Sequence, residues 1–136
     1  MKKASSSDAS YRPVWFIETK RFTTRWDDLR LTVDDLIELQ NRISMDPTAN
    51  PVIANTGGLR KMRFASSSIG NKGKRGSLRV CYAYFPRYSA IVLVMVYLKS
   101  EMDDLSPESK KIVKDWLKKS EAELKNQVEK KQSNGQ

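Results

Sequence analysis

The chain has 136 residues, enough for one domain with one core, and is 39% hydrophobic and 30% charged. Lys and Arg number 25 against 16 Asp and Glu, for a formal net charge of +9. There is no histidine and a single cysteine, which excludes imidazole acid/base chemistry, an internal disulfide and a cysteine-based zinc site.

The opening segment, "MKKASSSDAS", has two lysines but no apolar stretch of the kind a secretory signal needs. Residues 1–12 are serine-rich and are expected to form a disordered tail ahead of a domain over 13–120. Val14–Thr19, "VWFIET", is β-branched and aromatic and reads as a first strand. "RFTTRWDDLRL" suits a short helix. Thr32 then caps a second helix, with Asp34 and Asp35 in its first turn and an apolar stripe of Val33, Leu36, Ile37, Gln40 and Ile43. Pro47 closes it.

After the loop "NPVIANTGG" come three strands. Leu59–Ala65 alternates, with Leu59, Lys61, Arg63 and Ala65 on one face and Arg60, Met62 and Phe64 on the other. A glycine-, serine- and lysine-rich loop leads to Leu78–Phe85. "PRYS" turns the chain into Ala90–Lys99, which is apolar on both faces and therefore expected inside the sheet. That apolar run is too short to cross a bilayer as a helix, and a cytoplasmic protein is expected. Ser106 and Pro107 open a last helix with Ile112, Val113, Trp116 and Leu117 on its apolar face. Past Glu121 the pattern thins, so 121–136 is expected to fray into a tail. Trp15, Trp26 and Trp116 are expected as core anchors, and Cys81 as inert packing. The order β-α-α-β-β-β-α gives an α+β fold, a mainly antiparallel sheet with N-terminal helices and a C-terminal helix.

The charge is localised. Pro51–Ser100 holds nine Lys and Arg and no Asp or Glu, and the other 16 bases are matched by all 16 acids. A concentrated excess points to an anionic partner: nucleic acid, an acidic protein or a membrane surface. Lys61 and Arg63, two apart on a strand, leave the same face, and Arg79 on the next strand can lie across from them. The loop between these strands carries Lys72, Lys74 and Arg75. Its glycines at 70, 73 and 76 lack the spacing of a phosphate-binding P-loop and of GxGxxG. Such a cationic face can cleave RNA without metal or histidine. A base removes the 2′-OH proton, the oxygen attacks phosphorus, and the cations stabilise the transition state. Flanked by Arg60 and Arg63, Lys61 is placed where like charges favour its neutral form. For the leaving 5′ oxygen, Lys72, Lys74, Lys99 and Tyr97 qualify as proton donors by type. Tyr82 and Tyr84 share one strand face and suit either base stacking or packing. No metal or other cofactor is expected: Glu101, Asp103 and Asp104 are the nearest carboxylates, read as an acidic turn that binds the loop cations.

From Val14 to about Trp116 the chain resembles the HigB branch of the RelE-like toxins of bacterial type II toxin–antitoxin modules. "TGGLRKMR", the glycine/lysine loop, the "RVCY" strand and "KSEMDDL" stand in that family's order and spacing. The resemblance implies a microbial RNase fold, cleavage of mRNA in the ribosomal A site and growth arrest. It also implies neutralisation by a small helix-turn-helix antitoxin of the HigA kind. It places Lys61 and Arg63 on two catalytic cationic positions, Arg79 on the scissile phosphate, and Lys99 among the cations after the last strand. Arg60, Lys72, Lys74, Arg75 and Tyr82 are the further expected RNA contacts. Where RelE has its C-terminal catalytic tyrosine, this chain has Ser106. The rival reading is a non-catalytic RNA- or ribosome-binding protein using the same face.

Overall fold

The computed structural model describes residues 14–65, 78–102 and 104–134. The elements are β1 (Trp15–Glu18), α1 (Lys20–Asp28), α2 (Val33–Met45), β2 (Leu59–Phe64), β3 (Leu78–Phe85), β4 (Ala90–Leu98) and α3 (Pro107–Asn134). One-turn 3-10 helices at Pro86–Tyr88 and Lys99–Glu101 flank β4. The fold is α+β in the expected element order.

Each helix begins at a hydroxyl that satisfies an otherwise orphaned amide. Thr19 Oγ1 accepts from Phe22 N–H at 3.0 Å and donates to the Val94 carbonyl at 2.8 Å, so the cap also ties α1 to β4. Thr32 and Asp35 exchange reciprocal bonds at 3.1 and 2.9 Å, a capping box that starts α2. Ser106 Oγ accepts from Ser109 N–H at 3.1 Å ahead of α3, as its sequence suggests.

The sheet runs β1-β4-β3-β2, so β4 is interior, as its apolar sequence requires. β2–β3 and β3–β4 are antiparallel, while β1 lies parallel to β4, Trp15 opposite Ala90 through Glu18 opposite Leu93. The sheet is therefore mixed. The β3–β4 turn needs a left-handed residue, Ser89 at φ 50, whose N–H bonds the Pro86 carbonyl.

Helices cover both faces. Phe22, Trp26, Leu39 and Ile43 of α1 and α2 pack on Phe64, Val80, Tyr82 and Leu93. On the other face Val113, Leu117 and Leu124 of α3 pack on Leu59, Ala83 and Val92. Two details correct the sequence reading. The buried stripe of α2 is Asp35–Leu39–Ile43, and Val33 is 73% exposed. The capping carboxylate occupies the first turn of that stripe, which rotates Val33 and Ile37 outward. And α3 does not fray past Glu121: Leu124 is 3% exposed, and the helix continues to Asn134. Of the three tryptophans only Trp26 is fully buried, stacked on Phe22 at 5.3 Å between ring centroids. Among the described residues no helix is long and apolar enough to cross a membrane.

A candidate anion-binding site on the open end of the sheet

The "TGG" turn sets the position of β2. Asn55, Gly57 and Gly58 have φ of 68, 76 and 118, the left-handed region that glycine tolerates. A β-carbon on Gly57 would also meet Lys114 Cγ of α3 at 3.2 Å. The buried Thr56 hydroxyl donates to the Ile53 carbonyl at 2.6 Å and accepts from Leu59 N–H at 3.0 Å. The preceding Pro51–Ile53 segment runs along β2: Lys61 N–H bonds the Pro51 carbonyl at 3.1 Å and Ile53 N–H the Leu59 carbonyl at 2.8 Å. β2 is thus held between β3 and this segment, seated against α3 at its start.

Strand register then fixes which side chains meet. Arg63 pairs with Arg79, and Arg79 with Tyr97, one row across β2, β3 and β4. Directly opposed residues have β-carbons roughly 5 Å apart on one face. Two residues along, Lys61 pairs with Cys81, and Cys81 with Met95. Lys99 follows at the end of β4, in a turn closed by the Met102 N–H to Lys99 carbonyl bond at 3.3 Å. Lys61, Arg63, Arg79 and Lys99 line one cavity of about 510 Å³, together with Asn50, Pro51 and Met102. Among the described residues no carboxylate lines it. Arg79 is only 8% exposed, its guanidinium held by a bond to the Leu78 carbonyl at 3.1 Å. Buried donors fixed in this way bind a phosphate with little further ordering. The four cations named from sequence are thus brought together.

Two expected RNA contacts are not. Tyr82 is 0% exposed on the opposite face. Its hydroxyl donates to the Pro47 carbonyl at 2.8 Å and accepts from Asn50 Nδ2 at 3.2 Å. Its ring is core, because even-numbered β3 residues face α1 and α2, and no base can stack on it. Arg60 also points away from the cavity: its Nη1 donates to the carbonyls of Thr48 and Asn50 at 3.0 and 2.6 Å. It fastens the α2–β2 connection, so the cations flanking Lys61 do not all share its face. Lys72, Lys74 and Arg75 lie outside the described residues. Asn50, Pro51 and Met102 carry no chemical signature in the sequence. They reach the cavity through the β2-edge pairing and the turn after β4.

Next to the cavity's strand residues, Cys81 and Tyr97 are buried. Burial pushes the Cys81 thiol up to about 11, with a Tyr97 hydrogen bond and the Lys61 charge pulling it partly back. Burial, with Cys81 adding, pushes the Tyr97 hydroxyl up to about 12. Both keep their protons near neutrality, so neither is a base. In the acidic turn, Glu101 accepts from Arg25 Nη2 and from Leu98 N–H, and Asp104 lies 3.7 Å from Lys110; the loop cations expected as its partners lie outside the described residues. Asp103 lies outside the described residues. A second cavity of about 520 Å³, between α1 and the end of β4, mixes Arg21 and Arg25 with Asp28 and Glu101. Its balanced charge gives an anion no net attraction, and the cationic cavity is the better candidate.

No family model matches the chain. Two solved structures match part of the chain. One is a double arginine-to-alanine variant of the E. coli toxin RelE in the free state, at TM-score 0.47 and 11% identity, covering 68% of this chain and 90% of that one. The other is the isolated E. coli RelE toxin, at TM-score 0.46 and 13% identity, covering 76% of this chain and 98% of that one.

Proposed function

We propose that this chain is a RelE/HigB-like toxin, an endoribonuclease that cuts mRNA during translation and so arrests growth. The observation that carries the reading is the cavity: Lys61, Arg63, Arg79 and Lys99 converge on it without a described carboxylate. The order and spacing of "TGGLRKMR", "RVCY" and "KSEMDDL" support the family. Its antitoxin is a small helix-turn-helix protein of the HigA kind, and its place of action is the cytoplasmic ribosome.

In this reading Arg79 and Arg63, opposed on neighbouring strands, grip the non-bridging oxygens of the scissile phosphate and stabilise their growing charge. The cavity's two amines, Lys61 and Lys99, handle protons, since histidine is absent. One takes the 2′-OH proton as that oxygen bonds to phosphorus; the other protonates the 5′ oxygen as the P–O5′ bond breaks. The products are a 2′,3′-cyclic phosphate and a 5′-hydroxyl, with no metal in the reaction. The test is a ribosome-bound message with and without a 2′-deoxy substitution at the cut site. Cyclic-phosphate ends, lost on substitution, are expected. Efficient cutting at the deoxy position with 5′-phosphate ends would reject the mechanism. An intact message with bound protein would favour the non-catalytic rival.

A further inference from the structure

Three of the four cavity cations stand on strands; Lys99 stands on a turn. Arg79 is held between β2 and β4, Lys61 between β3 and the Pro51 carbonyl, and Arg63 by its pairing with β3. A one-turn 3-10 helix with a single closing bond at 3.3 Å is a weaker support, and Lys99 itself is exposed. The turn is braced from outside. Glu101 uses both carboxylate oxygens: one accepts from Leu98 N–H at 2.9 Å and the other from Arg25 Nη2 of α1. Arg25 is 76 residues away in sequence. The two bonds bracket Lys99, one at the residue before it and one at the residue that ends its turn. On the far side Asp104 reaches Lys110 of α3 at 3.7 Å. The segment that carries Lys99 and Met102 is therefore tied to helices on both sides.

We infer that the Arg25–Glu101 pair is a positioning clamp that holds the Lys99 turn at the mouth of the cationic cavity. It rests on the reading of that cavity as the cleavage site. The pair is partly exposed, and such pairs contribute little to global stability. Its value is geometric: a small displacement of a reacting group costs far more in rate than in folding. Arg25 touches no substrate and acts only through Glu101.

The experiment compares wild type with Arg25→Ala, Glu101→Gln, the double variant and Arg25→Lys, in two measurements. The first is turnover of a ribosome-bound message. Arg25→Ala and Glu101→Gln should each lower the rate at saturating ribosome about tenfold, with KM unchanged. The double variant should be no slower than the slower single variant, because one device is broken once. Arg25→Lys, keeping the charge, should recover part of the rate. The second is hydrogen exchange at the Leu98 amide in the free protein. It should be protected in wild type and exchange faster in Arg25→Ala. Wild-type turnover in Arg25→Ala, additive losses in the double variant, or a Leu98 amide indifferent to Arg25 would each overturn the clamp. Should wild type itself fail to cleave, the cleavage reading falls, and the Leu98 amide alone decides whether the clamp exists.

Discussion

The two ends of one sheet face do opposite things with the same strands. At one end Leu59, Ala83 and Val92 lie under Val113, Leu117 and Leu124 of α3. At the other, two strand steps further, Lys61, then Arg63 and Arg79, line an open cavity. The alternation of β2 continues unbroken across both ends, while the β3–β4 register shifts between Cys81 and Tyr82, at the boundary between them. Cover changes as well, because α3 starts beyond the turn that carries Lys99. The apolar end supplies favourable burial, and the cationic end is destabilised by like charges that a ligand would relieve. Stability and binding should therefore respond to different residues a few ångströms apart.

The sharpest test sets the two ends against each other. Arg79→Ala should lower message cleavage by about a hundredfold or more, because it removes a fixed donor where charge develops. Leu117→Ala should do the reverse. Deleting a fully buried leucine from the covered end costs about 2–5 kcal/mol of folding free energy, read by denaturant titration. Cleavage per folded molecule should stay near wild type. If Arg79→Ala unfolds the protein, or Leu117→Ala cripples the folded enzyme, the two ends are not separable as drawn.

A subtler test sits on the boundary. Cys81 lies between the two rows, with its thiol raised to about 11 by burial. An acid with a raised native value contributes stability that is fully present below its unfolded value, roughly 8.5, and lost as pH rises through the native one. Stability should thus decline between about pH 8.5 and 11, and Cys81→Ala should flatten that decline. In native protein at pH 8 the thiol should resist alkylation, which unfolding restores. Rapid alkylation of the folded protein would show that the layer between the two ends is open.

Much of this division is legible in the sequence. The alternation of Leu59, Lys61 and Arg63 fixes their shared face, and the Arg79 register follows from a hairpin-like antiparallel pair. The starts of α2 and α3 are legible because Thr32 and Ser106 act through local bonds, whereas Thr19, read as the end of a strand, proves also to cap α1. Facing is harder. Tyr82 and Arg60 read as RNA contacts because composition cannot say which side of a two-sided sheet is covered. Val33 and Leu39 are both apolar, and only the capping box decides which turns inward. The brace on Lys99 joins residues 76 apart, a pairing that no local pattern announces.

The first strand of the chain pairs with the last. Thr19 on the exit from β1 bonds to Val94, 75 residues on, and among the described residues β1 has no other strand neighbour. During synthesis, then, the segment up to α2 has no sheet to pack on, and contacts of such separation form late. The cavity needs β2, β3 and the turn after β4, so it cannot be assembled until residue 102 has been made. A nascent chain of this protein carries its cations in sequence long before it carries them in place. Any activity of the assembled cavity is thereby withheld until the turn after β4 has been made, by the order of the strands alone.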